Sequence, residues 1–430
     1  MPSIPHNPAH AREFAADVVR RLQNAGFTAF WAGGCVRDDL LGRTPADYDV
    51  ATSARPDEVR DVFGRRRTLA VGAAFGVITV LGPPGAGQVE VATFRTDEAY
   101  TDGRHPAGVV FSTPEHDACR RDFTINGLFL DPGTGDVHDY VGGRDDLAAG
   151  IVRAIGVASM RFGEDHLRML RAVRFAAAFG FALDGETRAA IEKMRHLVTT
   201  VSAERIAAEL RAMVSRPGRR RALELLAETG LAQEVLSEIA PADGESSDRD
   251  DRAAWWATSA DIIEALDEPE LGTALAALFE KSGEAPLRKA ADRLRLSNRD
   301  VKLATWLIEG VATLEQSGLQ QPFQQPSQRP WSQIQPWLAH DDAFRLADLL
   351  RARAACAEGS GETAAWVTAQ LARPPADLDP PPLLTGRDLM EAGIPEGKAI
   401  GRILAAIRAK QLDSEITSRE AAIEWARQHP

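Results

Sequence analysis

Apolar residues recur at helical spacing through Val18, Val19 and Leu22, behind the pair Asn7–Pro8 that reads as an N-cap with proline in the first turn; Gly26 closes the run. The stretches FTAFWAGG (27–34), YDVATS (48–53), FGVITVLG (75–82) and VEVATFR (89–95) are short, rich in β-branched and aromatic residues, and flanked by turn formers. They predict strands. Residues 1–150 therefore read as an α/β unit with a small mixed sheet. After Val152 the period changes: EDHLRMLRAVRFAAAFGF, GETRAAIEKMRHLV, AERIAAELRAMVS and RRALELLAETGLAQEVL carry apolar residues at i, i+3, i+4 spacing. Polar stretches at 240–254 and 316–330 and the proline-rich 373–382, read as a stiff linker, mark seams. The expected division is 1–150, then all-helical units at 151–225, 226–372 and 373–430.

At 430 residues, 44% hydrophobic and 26% charged, the chain has the composition of a multidomain globular protein. No apolar run approaches the roughly 20 residues that span a bilayer, so no membrane association is expected. The opening MPSIPHNPAHAREF lacks the basic and apolar regions of a signal peptide, and a cytoplasmic location is expected. Cys35, Cys119 and Cys356 are too scattered for a CxxC metal site or a disulfide framework. A net charge of −12 argues against a uniformly basic nucleic-acid surface, but arginines cluster locally at 65–67 and 216–221.

Candidate chemistry begins at Gly33 and Gly34, between a strand and a short helix, where glycines let backbone N–H groups approach a phosphate. In the next strand Asp47 and Asp49 flank Tyr48, and residues two apart on a strand face the same side. Asp49 reads as embedded in an apolar strand, and Glu90, opening a later strand, completes a trio of acids. Three carboxylates suit two Mg²⁺ ions and two-metal phosphoryl transfer.

The segment GGCVRDDLLGRTPADYDVATSARP (33–56) resembles the signature of the class II tRNA nucleotidyltransferase and bacterial poly(A) polymerase family. YTDGRHPAGVVF, RRDFTINGLFLD, DYVGGRDDL, GEDHLRMLRAVRF and SAERIAAEL follow in the family's order over more than 200 residues. The resemblance implies a polymerase β-like nucleotidyltransferase head (1–150), a nucleotide-selecting and RNA-binding neck (151–225), a body (226–372) and a tail (373–430). It assigns the triphosphate to Gly33, Gly34 and Arg37, metal to Asp47 and Asp49, and triphosphate and ribose 2′-OH contacts to Arg121, Asp122 and Asn126. The activity implied is template-independent addition of CMP and AMP from CTP and ATP to the tRNA 3′ end, with no obligate protein partner. Alternatives are a terminal-A-adding enzyme paired with a CC-adding one, and a poly(A) polymerase.

Asp165 and Arg168, i and i+3 on an expected helix, offer an acceptor and donors for the amine and ring acceptor shared by cytosine and adenine; uracil and guanine present the reverse pattern. Glu164 is expected to orient Arg168, with Arg171 and Arg174 meeting phosphates. The long polar segment 95–121 resembles the family's flexible loop, which argues against CC-only addition. In the body, Leu278, Phe279 and Glu280 stand where a related phosphohydrolase domain carries a His-Asp pair, which implies a degenerate remnant. His340 and Asp341 read as a helix start with Asp341 or Asp342 as cap. In the tail, GIPEGKAIG places Lys398 at a helix N-terminus, a candidate grip on tRNA.

Overall fold

A computed structural model describes residues 7–97, 109–239, 249–316 and 330–429. The chain divides into two compact units, one formed by residues 1–209 with 224–235, the other by 210–223 with 236–430. Most of the expected loop at 98–108 and the seams at 240–248 and 317–329 lie outside the described residues.

The first unit opens with helix α1 (Pro8–Asn24), whose Asn7 Oδ1 accepts from the Ala9 N–H at 3.0 Å and whose Val18, Val19 and Leu22 are buried. It packs on a seven-stranded sheet ordered β3-β4-β5-β2-β1-β8-β9. These strands are β1 (Ala29–Ala32), β2 (Asp49–Thr52), β3 (Thr68–Leu69), β4 (Val77–Leu81), β5 (Gln88–Thr93), β8 (Leu128–Leu130) and β9 (Val137–Asp139). A hairpin of β6 (Arg95–Asp97) and β7 (Val109–Phe111) stands apart. The strand pair β2 and β5 is parallel, with Asp49 opposite Glu90, while β1 is antiparallel to both β2 and β8. The sheet is therefore mixed, as expected. Val50, Ile78, Val89 and Val91 are buried, so the carboxylates occupy the alternate, open positions of their strands.

Helix α2 (Gly34–Leu40) follows β1, and α3 (Pro56–Phe63), α4 (Pro114–Cys119), α5 (Gly143–Ala149), α6 (Ala158–Glu164) and α7 (Arg168–Phe179) complete the elements around the site. The expectation of a purely helical neck is corrected by β10 (Ile151–Val152) and β11 (Ala182–Leu183), which pair in parallel. Strands of two residues leave no readable alternation.

In the second unit every residue of the helix Leu271–Phe279 is buried. Trp255 Nε1 donates to the Leu278 carbonyl at 3.0 Å, and the Arg211 guanidinium holds Asp300 at 2.6 Å. Glu280 is paired with the buried Arg353, which also donates to Glu315. The helix Ala343–Ala355 begins where expected, with Asp342 at the N-cap position. Its carboxylate accepts from the Arg345 guanidinium rather than from a helix backbone N–H, and the Asp342 N–H donates to His340 Nδ1. The proline-rich stretch is more than a linker: it contains the short helix Pro375–Leu378, and the Leu378 carbonyl accepts from Gln335 Nε2 at 3.0 Å. The tail helix Lys398–Leu412 starts at the predicted residue. No helix among the described residues is long and apolar enough to cross a membrane.

Candidate active site

The acids come first. Asp49 is the first residue of β2, and Asp47 lies in the bend leading into it rather than on the strand. The alternation survives: Tyr48, 4% exposed and packed on Trp31, points inward, while Asp47 and Asp49 are both exposed. Asp49 is thus not embedded in an apolar strand. It opens a strand whose other three residues are buried, and Glu90 lies beside it in register, also exposed. Partial loss of water around Asp49, together with the like charges of Asp47 and Glu90, pushes its carboxyl up to about 6 against the opposing pull of Arg121.

A divalent cation would relieve that repulsion, and an all-carboxylate donor set fits a hard ion such as magnesium. In the side-chain positions described, no three His, Cys, Asp or Glu residues converge closely enough to hold a metal ion.

Gly33, at the N-terminus of α2, has φ +74°, and a Cβ there would sit 2.5 Å from Arg121 Nη1. Only glycine fits. Gly34 begins the helix itself, and a Cβ on it would stand 3.7 Å from the Arg37 guanidinium. Arg37 is buried at 7% exposure and donates to Asn126 Oδ1 at 2.6 Å and to Asp38, with its guanidinium over Phe179. Arg37 was expected to face an incoming triphosphate; in this structure its donors are engaged with Asp38 and Asn126.

Asn126 Nδ2 donates to Asp122 Oδ1 at 2.9 Å, and Arg171 donates to Asp122 Oδ2 at 2.7 Å through Nη2 and at 2.9 Å through Nε. Burial would raise the Asp122 carboxyl, but Arg171, Asn126 and Arg168 overcome it and hold it down at about 2. Arg121, near Asp49, is itself held by Asp117. Four of the predicted residues, Arg37, Asp122, Asn126 and Arg171, thereby form one chain of bonds.

The proposed base-reading pair is arranged differently from the expectation. Asp165 has φ −149° and lies in the break between α6 and α7, so it does not share a helix with Arg168. Its Oδ1 accepts from the Leu167 N–H at 3.1 Å, a local bond that competes with helix continuation. Arg205 grips both Asp165 oxygens, at 3.1 and 2.7 Å. Arg168 donates to Glu164 at 2.6 Å, the partner expected of it, and Arg174 donates to Glu209 at 2.5 Å.

Sequence reasoning missed Asp117, Arg205 and Glu209. The last two fall inside the SAERIAAEL motif, whose position in the family's order was the available signal; Asp117 sits in a polar run with none.

Residues 29–153 match the family model described as "Poly A polymerase head domain", and residues 180–243 match one described as "Probable RNA and SrmB-binding site of polymerase A". A CCA-adding enzyme from Geobacillus stearothermophilus is 43% identical over 218 residues, covering 50% of this chain and 53% of that one. The chain thus spans about half the length of the curated relatives it matches. The crystal structure of a Bacillus stearothermophilus CCA-adding enzyme in complex with CTP superposes with a TM-score of 0.74 at 28% identity, covering 97% of both chains. A Thermotoga maritima CCA-adding enzyme complexed with tRNA shares the fold at TM-score 0.66 and 19% identity, over 97% of this chain and 94% of that one. With the acids in register on a mixed sheet, the chain carries one segment that matches the head domain of poly(A) polymerases and a second that matches their RNA-binding site, and over about half its length it is similar to CCA-adding enzymes.

Proposed function

We propose that the protein adds CMP and AMP from CTP and ATP to the 3′ end of tRNA without a template. The observation that carries the reading is the register pairing of Asp49 with Glu90, with Asp47 two residues away, on the open side of the head sheet. Asp47, Asp49 and Glu90 would hold magnesium, two ions in our reading, which when bound supplies Lewis-acid activation of the attacking hydroxyl and of the departing pyrophosphate.

The chain's own residues do the rest. Gly33 and Gly34 leave room for phosphate oxygens at the start of α2, and Arg121, fixed by Asp117, presents charge beside Asp49. Arg37 orients Asn126 rather than touching the nucleotide. Both Asp122 oxygens and both ends of the Asn126 amide are engaged, so reading a ribose 2′-OH requires the sugar to share or displace one of these bonds. Asp165 accepts from the exocyclic amine of C or A while Arg205 fixes its plane, and Arg168, steadied by Glu164, donates to the ring acceptor.

In this reading the head (1–150) performs the transfer and the neck (151–225) selects the nucleotide. The body (226–372) is a hydrolase-like remnant in which Glu280 is tied to Arg353, and the tail (373–430) grips RNA. A cytoplasmic setting follows from the substrate.

The test offers purified protein tRNAs ending before CCA, after C and after CC, each with labelled CTP or ATP, and an unstructured RNA. Stepwise C, C and A addition supports the reading. Addition of A to the CC-ended tRNA alone, or long tails on unstructured RNA, would replace it with one of the two alternatives.

A further inference from the structure

Arg65, Arg66 and Arg67 form a 3-10 turn directly before β3, all exposed, and among the described residues no hydrogen-bond or ion-pair partner of their side chains is found. Elsewhere in the first unit Arg37, Arg121, Arg153, Arg161, Arg168, Arg171 and Arg174 are all bonded to carboxylates. Three adjacent unpaired guanidinium groups in a chain of net charge −12 are unusual enough to ask what anion they meet.

Topology limits the answer. Strands β3 and β5 both run antiparallel to β4, and β5 runs parallel to β2, so β2, β3 and β5 point the same way. The Arg65–Arg67 turn and the Asp47–Asp49 segment therefore enter the sheet at the same end. Leu69, Thr79, Glu90 and Asp49 form one register row across the sheet, which puts β3 three strand spacings, about 14 Å, from Asp49. The loop after β3 exposes Val71 and the Phe75 ring, at 93% and 50%. Cations on a backbone track next to exposed apolar and aromatic faces are the arrangement that single-stranded nucleic acid uses. The separation from Asp49 is too large for the phosphate under attack and suits phosphates further back along the same strand.

We propose that the Arg65–Arg67 turn binds backbone phosphates of the RNA substrate upstream of its 3′ end, with Val71 and Phe75 offering apolar faces to the bases. The inference rests on the RNA 3′-end reading above.

The test replaces Arg65, Arg66 and Arg67 together by alanine in the full chain, with circular dichroism to check folding, and by lysine as a conservative control. Single-nucleotide addition is measured on tRNA and on a dinucleotide acceptor too short to reach the turn, over a range of salt. Expected are a roughly tenfold higher KM for tRNA with kcat and the KM for CTP unchanged, and a log–log salt slope shallower by about 2, near 0.7 for each lost phosphate contact. The lysine form recovers most of the loss, and the dinucleotide shows none. An unchanged KM for tRNA and an unchanged salt slope would overturn the inference, as would a raised KM for CTP, which would move the turn to the nucleotide. If the wild-type protein adds no nucleotide at all, the underlying reading fails and this one with it.

Discussion

Two buried arginine networks, one in the first compact unit and one in the second, use the same side chains to opposite ends. Around Asp122, one carboxylate is met by Arg171 and Asn126, with Arg37 behind the amide, so several donors converge on a single acid. Around Arg353, one guanidinium is met by Glu280 and Glu315 and by the Glu358 carbonyl, and acids outnumber donors. The Asp122 carboxyl is accordingly held down at about 2, whereas burial, opposed by Arg353 and aided by Glu315, raises Glu280 above the ordinary carboxylate range. A carboxylate kept ionised by several donors can share a bond with a ligand hydroxyl; an acid-rich network closed on its own arginine is suited to holding helices together. Partner count alone would not have told the two apart.

Between the two networks, the largest expected effect comes from breaking the one around Asp122. Asp122→Ala leaves Arg171 without its closest carboxylate and is expected to cost about 3 to 5 kcal/mol of local stability, read by hydrogen exchange in α7. Nucleotide transfer should fall by at least roughly a hundredfold. Glu280→Gln, which keeps the shape of the protonated acid that the fold favours, should leave the helix Ala343–Ala355 in place and transfer by the folded protein within about twofold. A comparable loss of transfer from both would erase the distinction.

Acid separates them next. Asp122 titrates lower in the fold than in the unfolded chain, so it contributes stability above the usual aspartate range, about 2 kcal/mol, which is lost as pH falls from about 4 toward 2. Glu280 titrates higher in the fold, so its contribution is present below about pH 4.5 and is lost as pH rises through its folded value. Region-resolved hydrogen exchange from pH 7 to 3 should therefore show protection falling in α7 at the acid end, with no matching loss attributable to Glu280.

A smaller, more selective effect is expected from Arg205→Ala. Freeing Asp165 should raise misincorporation of UMP and GMP relative to CMP and AMP by about tenfold, near 1.4 kcal/mol of discrimination, with little change in fold stability. Smallest of all, His340→Ala removes an exposed ring stacked on Trp306 and should change body stability by no more than about 0.5 kcal/mol by chemical denaturation.

Much of the head was legible because its strands are long enough to carry β-branched and aromatic runs: β1, β2 and β4 each fall inside a predicted run, and β5 begins one residue before one. The capped α1 was legible for the same reason, since Asn7 and Pro8 state their roles locally. Strands β3, β8 and β10 were not, being two or three residues long. The Asp165 error was physical in origin. EDHLRMLRAVRF has an unbroken helical period, yet a short acid that accepts a neighbouring N–H can end one helix and start the next. That Arg37, Asp122, Asn126 and Arg171 lie near one another was readable from motif order, whereas partnership was not: Arg205, 40 residues from Asp165, and Arg171, 49 residues from Asp122, meet their acids only through the fold.

The central claim is that the open acids of the head sheet are where nucleotides are joined to RNA. Its most direct test is incorporation of labelled CMP into tRNA lacking CCA by Asp47→Ala and Asp49→Ala proteins, with folding confirmed. Each substitution should reduce incorporation by roughly a thousandfold or more while leaving tRNA binding within a fewfold of wild type. Incorporation close to the wild-type rate by either protein would contradict the account.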